Sequence, residues 1–318
     1  MDQTDKPNTS KAEILSTIER LKAMTPADPA WQLAINKALA KEEDAVIQKS
    51  VNEVKKELSK LPAEQQQMSF SFLPVDMTRI SPFFPMSKTE MGHRPLEKLR
   101  WDNPWGVIEV QGERLSIFDE SVLLAVLKLT KIKKSFTIVT TRNEICTSMG
   151  VSPSKDSYDA IWNCLKRLIY TGVGLELWEG KGKERKTVVR MAHTMLTGSI
   201  ENKDKLTITI NPYFEKMFLD NLTTSIDMDF RTSLKGDITK ALYRFYEGQS
   251  QDIFKCHIDK LCDAVNIDKK LPKYTLRRHI RSGIKELIDK QYLVFGEINK
   301  QDIVIVKKVV RNIKRISH

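Results

Sequence analysis

A group of arginines near the C-terminal end of the chain has the spacing of a nucleic-acid-binding helix. Apolar residues recur from Leu276 to Ile288 at helical intervals, and the cations between them fall on a different face. Arginine donates two hydrogen bonds to O6 and N7 of guanine, and both arginine and lysine neutralise phosphate. The spacing therefore predicts a DNA-contacting helix over residues 273–290, with an ordinary solvated face as the alternative. The candidate DNA-binding residues are Lys273, Thr275, Arg277, Arg278, Arg281 and Lys285 in the helix, and Lys269 and Lys270 ahead of it.

A second helix, predicted between a capping Ser154 and Tyr170, presents a weaker version of the same chemistry. One of its outward side chains is an asparagine, which is suited to reading adenine. The lysine-rich loop that follows, between predicted strands at 173–178 and 187–192, is interpreted as a wing that rests on phosphates. A plain exposed turn is the alternative. The candidate DNA-binding residues are Lys155, Asn163, Lys166 and Arg167 in the helix, and Lys181, Lys183, Arg185 and Lys186 in the loop.

The charge of the chain favours a polyanionic partner. Its formal net charge is +11 at pH 7. Residues 1–95 hold 13 Lys and Arg against 13 Asp and Glu, whereas residues 233–318 hold 19 against 10. Because the excess is concentrated at the C-terminal end, it indicates a binding surface more than a scattered charge that only confers solubility.

The order of the predicted elements indicates an α+β fold with tandem winged-helix (helix-turn-helix) domains. A helix, a short strand, two helices and a hairpin follow one another twice, which is the winged-helix order. Another hairpin, between residues 107–110 and 114–117, is predicted ahead of the first repeat. The predicted regions are a helical N-terminal arm at 1–61, an extended linker at 62–95, a first winged-helix domain at 96–222 and a second, DNA-binding one at 223–318.

Missing motifs argue against several classes of DNA-acting enzyme, and we predict a protein without enzymatic activity. No GxxxxGK[ST] phosphate loop occurs, and the histidines never form the His-x-His pair of a rolling-circle nickase. His279, Arg281 and Tyr292 are too closely spaced for a tyrosine recombinase. The four cysteines form no CxxC pair, so they are interpreted as reduced structural thiols, and neither a metal nor a cofactor is predicted. No signal peptide and no membrane-length apolar run are found, which predicts a cytoplasmic protein.

The stretch from Gly112 to Leu175 resembles the TrfA-type plasmid replication initiators. The resemblance runs through GERLSIFDESVLLAVLKLTK, FTIVTTRNEICTSMG and DAIWNCLKRLIYTGVGL, and a weaker likeness covers the rest of the chain from about residue 65 onward. Such initiators bind directly repeated sites in duplex origin DNA and help to open the adjacent AT-rich DNA. The resemblance therefore implies a bacterial protein that works with the replicative helicase and with DnaA. It also implies control by homodimer formation through the first domain, so whether that domain contacts DNA or pairs with a second copy is left open.

A short motif in the predicted linker, QMSFSF followed by LPVDM, lies where this family carries a peptide that binds the sliding clamp. Such peptides have a glutamine, an aliphatic or aromatic residue three positions later, and a phenylalanine two positions after that. Gln67, Phe70 and Phe72 meet this pattern, with Phe70 in place of the commoner leucine. The alternative is that the two phenylalanines pack against the first winged-helix domain.

Together these observations predict a plasmid replication initiator that binds repeated origin sites, helps to open the origin and recruits host replication proteins. A sequence-specific winged-helix transcriptional regulator is the main alternative, because such domains bind operators as readily as origins. The clamp motif favours the initiator, since a repressor has no use for a clamp. A scaffold that binds DNA without sequence preference is a third possibility, and a steep salt dependence without a preferred site is its mark.

Overall fold

The computed structural model describes residues 70–92, 94, 96–103, 106–179, 186–212 and 223–309. All of them belong to one compact unit, Gln67–His318. The predicted arm at 1–61 and Gln67 of the predicted clamp motif lie outside the described residues. Among the helices that are described, none combines the length and the apolar character of a membrane span.

Helices and strands are mixed along this unit, which agrees with the α+β prediction. The helices are α1 (Val75–Arg79), α2 (Lys88–Gly92), α3 (Ile117–Lys133), α4 (Arg142–Met149), α5 (Lys155–Tyr170), α6 (Met228–Ser233), α7 (Asp237–Glu247), α8 (Ile258–Ala264) and α9 (Lys273–Asp289). The strands are β1 (Phe70–Pro74), β2 (Phe83–Phe84), β3 (Leu96–Asn103), β4 (Gly106–Glu113), β5 (Leu115–Ser116), β6 (Thr137–Thr140), β7 (Gly172–Glu179), β8 (Lys186–His193), β9 (Leu196–Asn202), β10 (Lys205–Ile210), β11 (Thr223–Asp227), β12 (Ile253–His257), β13 (Leu293–Ile298) and β14 (Ile303–Lys308). In the described part of the chain they form sheets with the orders β1-β11, β2-β5, β3-β4-β7-β8, β6-β10-β9 and β12-β14-β13.

The first module comprises α3, α4, α5 and the sheet β6-β10-β9, and capping side chains decide where its helices begin. Ser116 accepts the backbone N–H of Asp119, and the Asp119 carboxylate accepts the N–H of Ser116, which forms a capping box at the start of α3. Thr141 and Ser154 cap α4 and α5, which confirms both predicted caps. Gly150 ends α4 at φ 65°, in the left-handed region that glycine adopts readily, and this confirms the predicted helix end.

The strands around Gly112 pair differently from the prediction. Residues 107–110 belong to β4, which pairs with β3 on one side and β7 on the other, and not with residues 114–117. β8 pairs with β7 in the same sheet, which confirms the predicted strands at 173–178 and 187–192. Residues 180–185 of the loop predicted to be a wing lie outside the described residues. The hairpin that pairs with β6 is β9–β10. The predicted hairpin around Gly112 failed because long-range packing decides which strands pair, and strand propensity does not encode it.

The second module comprises α7, α8, α9 and the sheet β12-β14-β13, whose last two strands form the C-terminal hairpin. The helix predicted over residues 273–290 is α9, and its apolar residues from Leu276 to Leu287 are buried. Gly283 brings this face close to α7, because a Cβ there would lie 2.7 Å from Cδ1 of Leu242. A larger residue at position 283 would therefore require Leu242 or the helix itself to shift.

Residues 70–86 form a folded strap and not the extended linker that the sequence predicted at 62–95. β1 pairs with β11 in antiparallel register along its whole length. The Asn266 amide, in the turn between α8 and α9, donates to the carbonyls of Ser81 at 2.6 Å and Phe83 at 2.8 Å. The apolar side chains of the strap that are fully buried are Leu73, Met77, Ile80 and Phe83. The prolines that indicated a linker only interrupt the strap, because burial of these side chains outweighs the effect of local composition.

A buried ion cluster ties the first module to α6 and α7. Glu120 of α3 accepts hydrogen bonds from Arg231 of α6 at 2.7 Å and from Arg244 of α7 at 2.9 Å. The three side chains are between 0% and 2% exposed. Burial acts to raise the pKa of Glu120, but the two arginines outweigh it and hold that pKa below its usual value. Because loss of one partner would leave a buried charge unpaired, the cluster fixes α3 against α6 and α7.

Candidate nucleic-acid interface

One face of α9 carries the exposed side chains that suit DNA. Tyr274, Arg278, Arg281 and Lys285 follow one another at intervals of four, three and four residues, so they form one stripe on the helix. The three cations are exposed, and Tyr274 is 70% exposed. Lys269, Lys273 and Arg277 of this module lie within 4 Å of a carboxylate, but none of the three stripe cations forms an ion pair with a described residue. This cationic stripe therefore presents uncompensated positive charge to solvent.

The Glu286 carboxylate, in the last turn of α9, is bound to the start of α7 and does not pair with the cationic stripe. Glu286 accepts hydrogen bonds from the Lys235 N–H at 2.5 Å, the Thr239 hydroxyl at 2.6 Å and the Gly236 N–H at 3.4 Å. These groups surround the start of α7, whose N-cap Gly236 has no side chain to cap the helix. Partial burial acts to raise the pKa of Glu286, but these hydrogen bonds outweigh it and the pKa lies below its usual value. The third helix of the module thus caps its first helix.

Arg277 differs from its neighbours on α9, because it is held by the C-terminal hairpin. Its Nε atom donates to Oδ1 of Asp302 at 2.5 Å, and its Nη2 atom donates to the carbonyl of Lys300 at 3.4 Å. The Arg277 side chain is 31% exposed and that of Asp302 is 11% exposed. The hydrogen bond from Arg277 holds the pKa of Asp302 below its usual value. Arg277 is therefore a link between helix and hairpin, and not one of the free cations.

The remaining predicted residues of this region surround the start of α9. Lys273 is 73% exposed, with Nζ 3.7 Å from Oδ2 of Asp302. Lys269 donates to Asp263 at 2.7 Å, and this hydrogen bond raises the pKa of the lysine. Lys270 is exposed and Thr275 is half-buried. The predicted residues of the second module thus lie on α9 or in the turn before it, and Lys269, Lys273 and Arg277 are within 4 Å of a carboxylate.

Arg167 of α5 is a structural residue, which corrects its prediction as a DNA contact. Its Nε and Nη2 atoms donate to Oδ1 of Asp119 at 2.9 Å and 2.7 Å. Arg94 binds the other carboxylate oxygen at 2.7 Å. Asp119 is fully buried and Arg167 is 15% exposed. Burial acts to raise the pKa of Asp119, but the two arginines outweigh it and keep it charged. A helical pattern alone places Arg167 outside the core, and it cannot show that a buried carboxylate reaches it.

The other candidates of the first module remain accessible. Lys155, Asn163 and Lys166 are exposed on α5. Lys186 is exposed at the start of β8, whereas Lys181, Lys183 and Arg185 lie outside the described residues. The predicted residues that α5 exposes are therefore two lysines and an asparagine, and no arginine. DNA contact by this module stays a prediction.

Tyr274 is a candidate DNA contact that the sequence analysis missed, because it sorted the residues of this helix only into apolar and cationic ones. As an aromatic residue it is expected in the core, yet it lies four residues before Arg278 and seven before Arg281. That spacing is the sequence signal that places it on the cationic stripe. A tyrosine hydroxyl donates to phosphate, and an aromatic ring contacts the methyl group of thymine.

The cysteines and histidines form no second site in the described chain. No group of three or more His, Cys, Asp and Glu side chains there is arranged to hold a metal ion. All four cysteines are free thiols, and three of them are buried. Burial raises the pKa of both Cys256 and Cys262 to about 12. Neither thiol is therefore activated as a nucleophile at neutral pH.

Comparison with known proteins finds a family match over part of the chain and a related fold. Residues 106–247 match the family described as Initiator Replication protein, WH1. Domains 2 and 3 of RctB, crystallised as selenomethionine derivatives, are similar with a TM-score of 0.51 and 14% identity, over 75% of this chain and 99% of that chain. At this identity the likeness shows a shared fold.

A lower similarity is found to the crystal structure of Pi initiator protein in complex with iteron DNA. Its TM-score is 0.42 and its identity is 12%, over 62% of this chain and 91% of that chain. No curated protein matches the chain in sequence.

Proposed function

We infer that the protein is a plasmid replication initiator that binds origin DNA. The premise is the match of residues 106–247 to the family described as Initiator Replication protein, WH1. The family match carries this conclusion for the first module. The exposed cationic stripe of α9 supports it for the second, because duplex DNA is the polyanion that a replication initiator must hold.

The second module is proposed to be the other winged helix of a tandem pair. Its three helices and three-stranded sheet follow the same order as those of the first module. In a winged helix the third helix enters the major groove and the hairpin touches the flanking backbone. By this proposal α9 reads the major groove with the cationic stripe, and the C-terminal hairpin lies along the adjacent phosphates.

The binding mode implied by this geometry needs no chemical step by the protein. Arg278 and Arg281 are placed to hydrogen-bond guanine, and Lys285 with Lys273 is placed to neutralise phosphate. We propose that copies of the protein occupy repeated origin sites in the cytoplasm, where they help to open the duplex and recruit the helicase and DnaA. The TrfA-type subgroup, a homodimer and the absence of enzymatic activity belong to the same proposal.

Binding of the sliding clamp by Gln67, Phe70 and Phe72 is a finer proposal. Phe70 and Phe72 alternate in β1 with the buried Ser71 and Leu73, so they lie on the opposite, partly exposed face of the strand. The Lys131 amine lies 3.2 Å from the ring centroid of Phe72, which agrees with local packing against α3. Substituting Gln67 and Phe72 with alanine and measuring binding to purified clamp decides between the two roles.

The function is tested by maintenance of a circular DNA. The gene and its flanking DNA are placed on a selectable circle that has no other origin, and retention in bacteria is followed over generations. We expect retention that is lost when the gene is deleted, and lost when Arg278 and Arg281 are both alanine. Failure in several hosts, together with specific DNA binding in vitro, would assign the protein to the transcriptional regulators.

A further inference from the structure

Asp302 closes the C-terminal hairpin in a turn that is fixed at several points. Its φ is 60°, a left-handed backbone that Asp and Asn adopt more readily than most side chains. Its carbonyl accepts the backbone N–H of Ile258, at the start of α8, at 2.8 Å. Asn299 secures the same turn, because its side-chain oxygen accepts the N–H groups of Gln301 and Ile303, both at 2.9 Å. The Asp302 carboxylate therefore has a well-defined place beside α9.

The Asp302 carboxylate restrains Arg277 of α9 and leaves some of the N–H donors of this arginine unused. The hydrogen bonds from Nε to Asp302 and from Nη2 to the Lys300 carbonyl fix the plane of the Arg277 guanidinium. Among the described residues Nη1 of Arg277 has no acceptor, and the side chain remains 31% exposed. Arg277 is thus oriented by the hairpin while part of its guanidinium stays available to a ligand.

Electrostatic attraction alone does not account for an acidic residue at this position. A carboxylate repels phosphate, so a face that only attracts DNA gains affinity when the carboxylate is removed. Glu297 provides the comparison within the same hairpin, because it is exposed and forms no ion pair with a described residue. The two acids carry the same charge, but only Asp302 is bonded to α9.

We propose that Asp302 is a positioning residue for sequence-specific DNA binding: it fixes Arg277 against the C-terminal hairpin so that α9 and the hairpin meet the duplex as one rigid surface. A guanidinium that is already oriented loses less rotational freedom when it bonds a base. This inference rests on the proposed function, since it concerns how the same interface discriminates between DNA sequences.

The experiment compares Asp302→Asn with Glu297→Gln in the full-length protein. Dissociation constants are measured for a duplex that the wild-type protein selects from a random pool and for a shuffled duplex of equal length. Asparagine tolerates the left-handed backbone, so both variants should fold, which thermal unfolding checks. We expect Glu297→Gln to tighten both complexes alike. We expect Asp302→Asn to weaken only the selected complex, with the ratio of the two constants falling about tenfold. An unchanged ratio overturns the proposal.

A double-mutant cycle tests whether Asp302 acts through Arg277. In an Arg277→Ala background, Asp302→Asn is expected to leave the ratio unchanged. The same tenfold loss in both backgrounds would overturn the positioning role. If the wild-type protein selects no duplex from the pool, the origin-binding function itself fails and this inference fails with it. A selective wild type beside an equally selective Asp302→Asn variant overturns this inference alone.

Discussion

In the first module the third helix, α5, directs Arg167 inwards to the buried carboxylate of Asp119, whereas in the second module α9 leaves Arg278 and Arg281 in solvent. The two modules share the order of their helices and sheets but differ in where their carboxylates lie. Asp119 at the start of α3 is fully buried and takes two arginines as partners. In the second module the first helix is capped from the third: Glu286 near the end of α9 accepts a backbone N–H and a hydroxyl at the start of α7. The arginine of the third helix is therefore exposed to solvent in the module where no buried carboxylate pairs with it.

The comparison separates arginines that hold the fold from arginines that are free to bind. Arg94, Arg167, Arg231 and Arg244 all contact buried carboxylates of α3 and belong to the first kind. The cations of the cationic stripe belong to the second. We expect substitutions in the first kind to lower the free energy of unfolding and substitutions in the second to lower DNA affinity.

The largest effect is expected from Asp119→Ala. The change removes the carboxylate partner of Arg94, leaves Arg167 only Glu113 at 3.9 Å among the described carboxylates and removes the capping box of α3. The free energy of unfolding should therefore fall by about 3–5 kcal/mol. Urea unfolding measures it. Asp159→Ala is the matched control, because Asp159 is 60% exposed and forms a long ion pair of 3.8 Å with Arg142. The control should lose less than about 1 kcal/mol. Equal losses would mean that burial does not distinguish the two pairs.

Replacing Arg278 and Arg281 together by alanine should weaken specific DNA binding by about 2–4 kcal/mol, since a good base contact contributes about 1–3 kcal/mol. The free energy of unfolding should change by less than about 0.5 kcal/mol, because both side chains are exposed. Fluorescence anisotropy with a selected duplex measures the first quantity. The comparison variant is Lys155→Ala with Lys166→Ala on α5, whose DNA contact is a separate prediction, and its loss of affinity should be smaller. Unchanged affinity in the α9 variant would remove the cationic stripe from the interface.

Arg167→Ala tests the structural role of the Arg167–Asp119 pair by removing the arginine. Charged hydrogen bonds to a buried group contribute about 1.5–3 kcal/mol, and the free energy of unfolding should fall by that amount. Arg94 still holds Asp119 in this variant, so the loss should be smaller than for Asp119→Ala. The affinity of the folded protein for DNA should stay the same. A protein of normal stability with weaker DNA binding would return Arg167 to the interface.

The smallest effect is expected from Tyr274. Tyr274→Ala should weaken DNA binding by about 1 kcal/mol, through loss of a hydroxyl contact to phosphate or of ring contact with a base. Tyr274→Phe separates the two, because it keeps the ring and loses the hydroxyl. Stability should not change, since the side chain is 70% exposed. Binding that equals wild type in both variants would limit the interface to the cations.

Local patterns predicted the elements of this protein well. The helical periodicity of α9 and the separation of its faces follow from the positions of Leu276 to Ile288 alone. The caps at Thr141 and Ser154 and the glycine end of α4 follow from side chains within a few residues of each helix end. Exposure of Arg278, Arg281 and Lys285 follows as well, because a helix has a fixed period.

Contacts between distant residues could not be predicted in this way. The pairing of β4 with β3 and β7, the strap at residues 70–86 and the sheet that contains β8 depend on which apolar surfaces meet. Arg167 and Asp119 are 48 residues apart, and Arg277 and Asp302 are 25 apart. The sequence determines which side chains are cationic and which face of a helix they occupy, because both depend on local geometry. Only the tertiary structure decides which of those cations meet a carboxylate, because that depends on the packing of segments far apart in the chain.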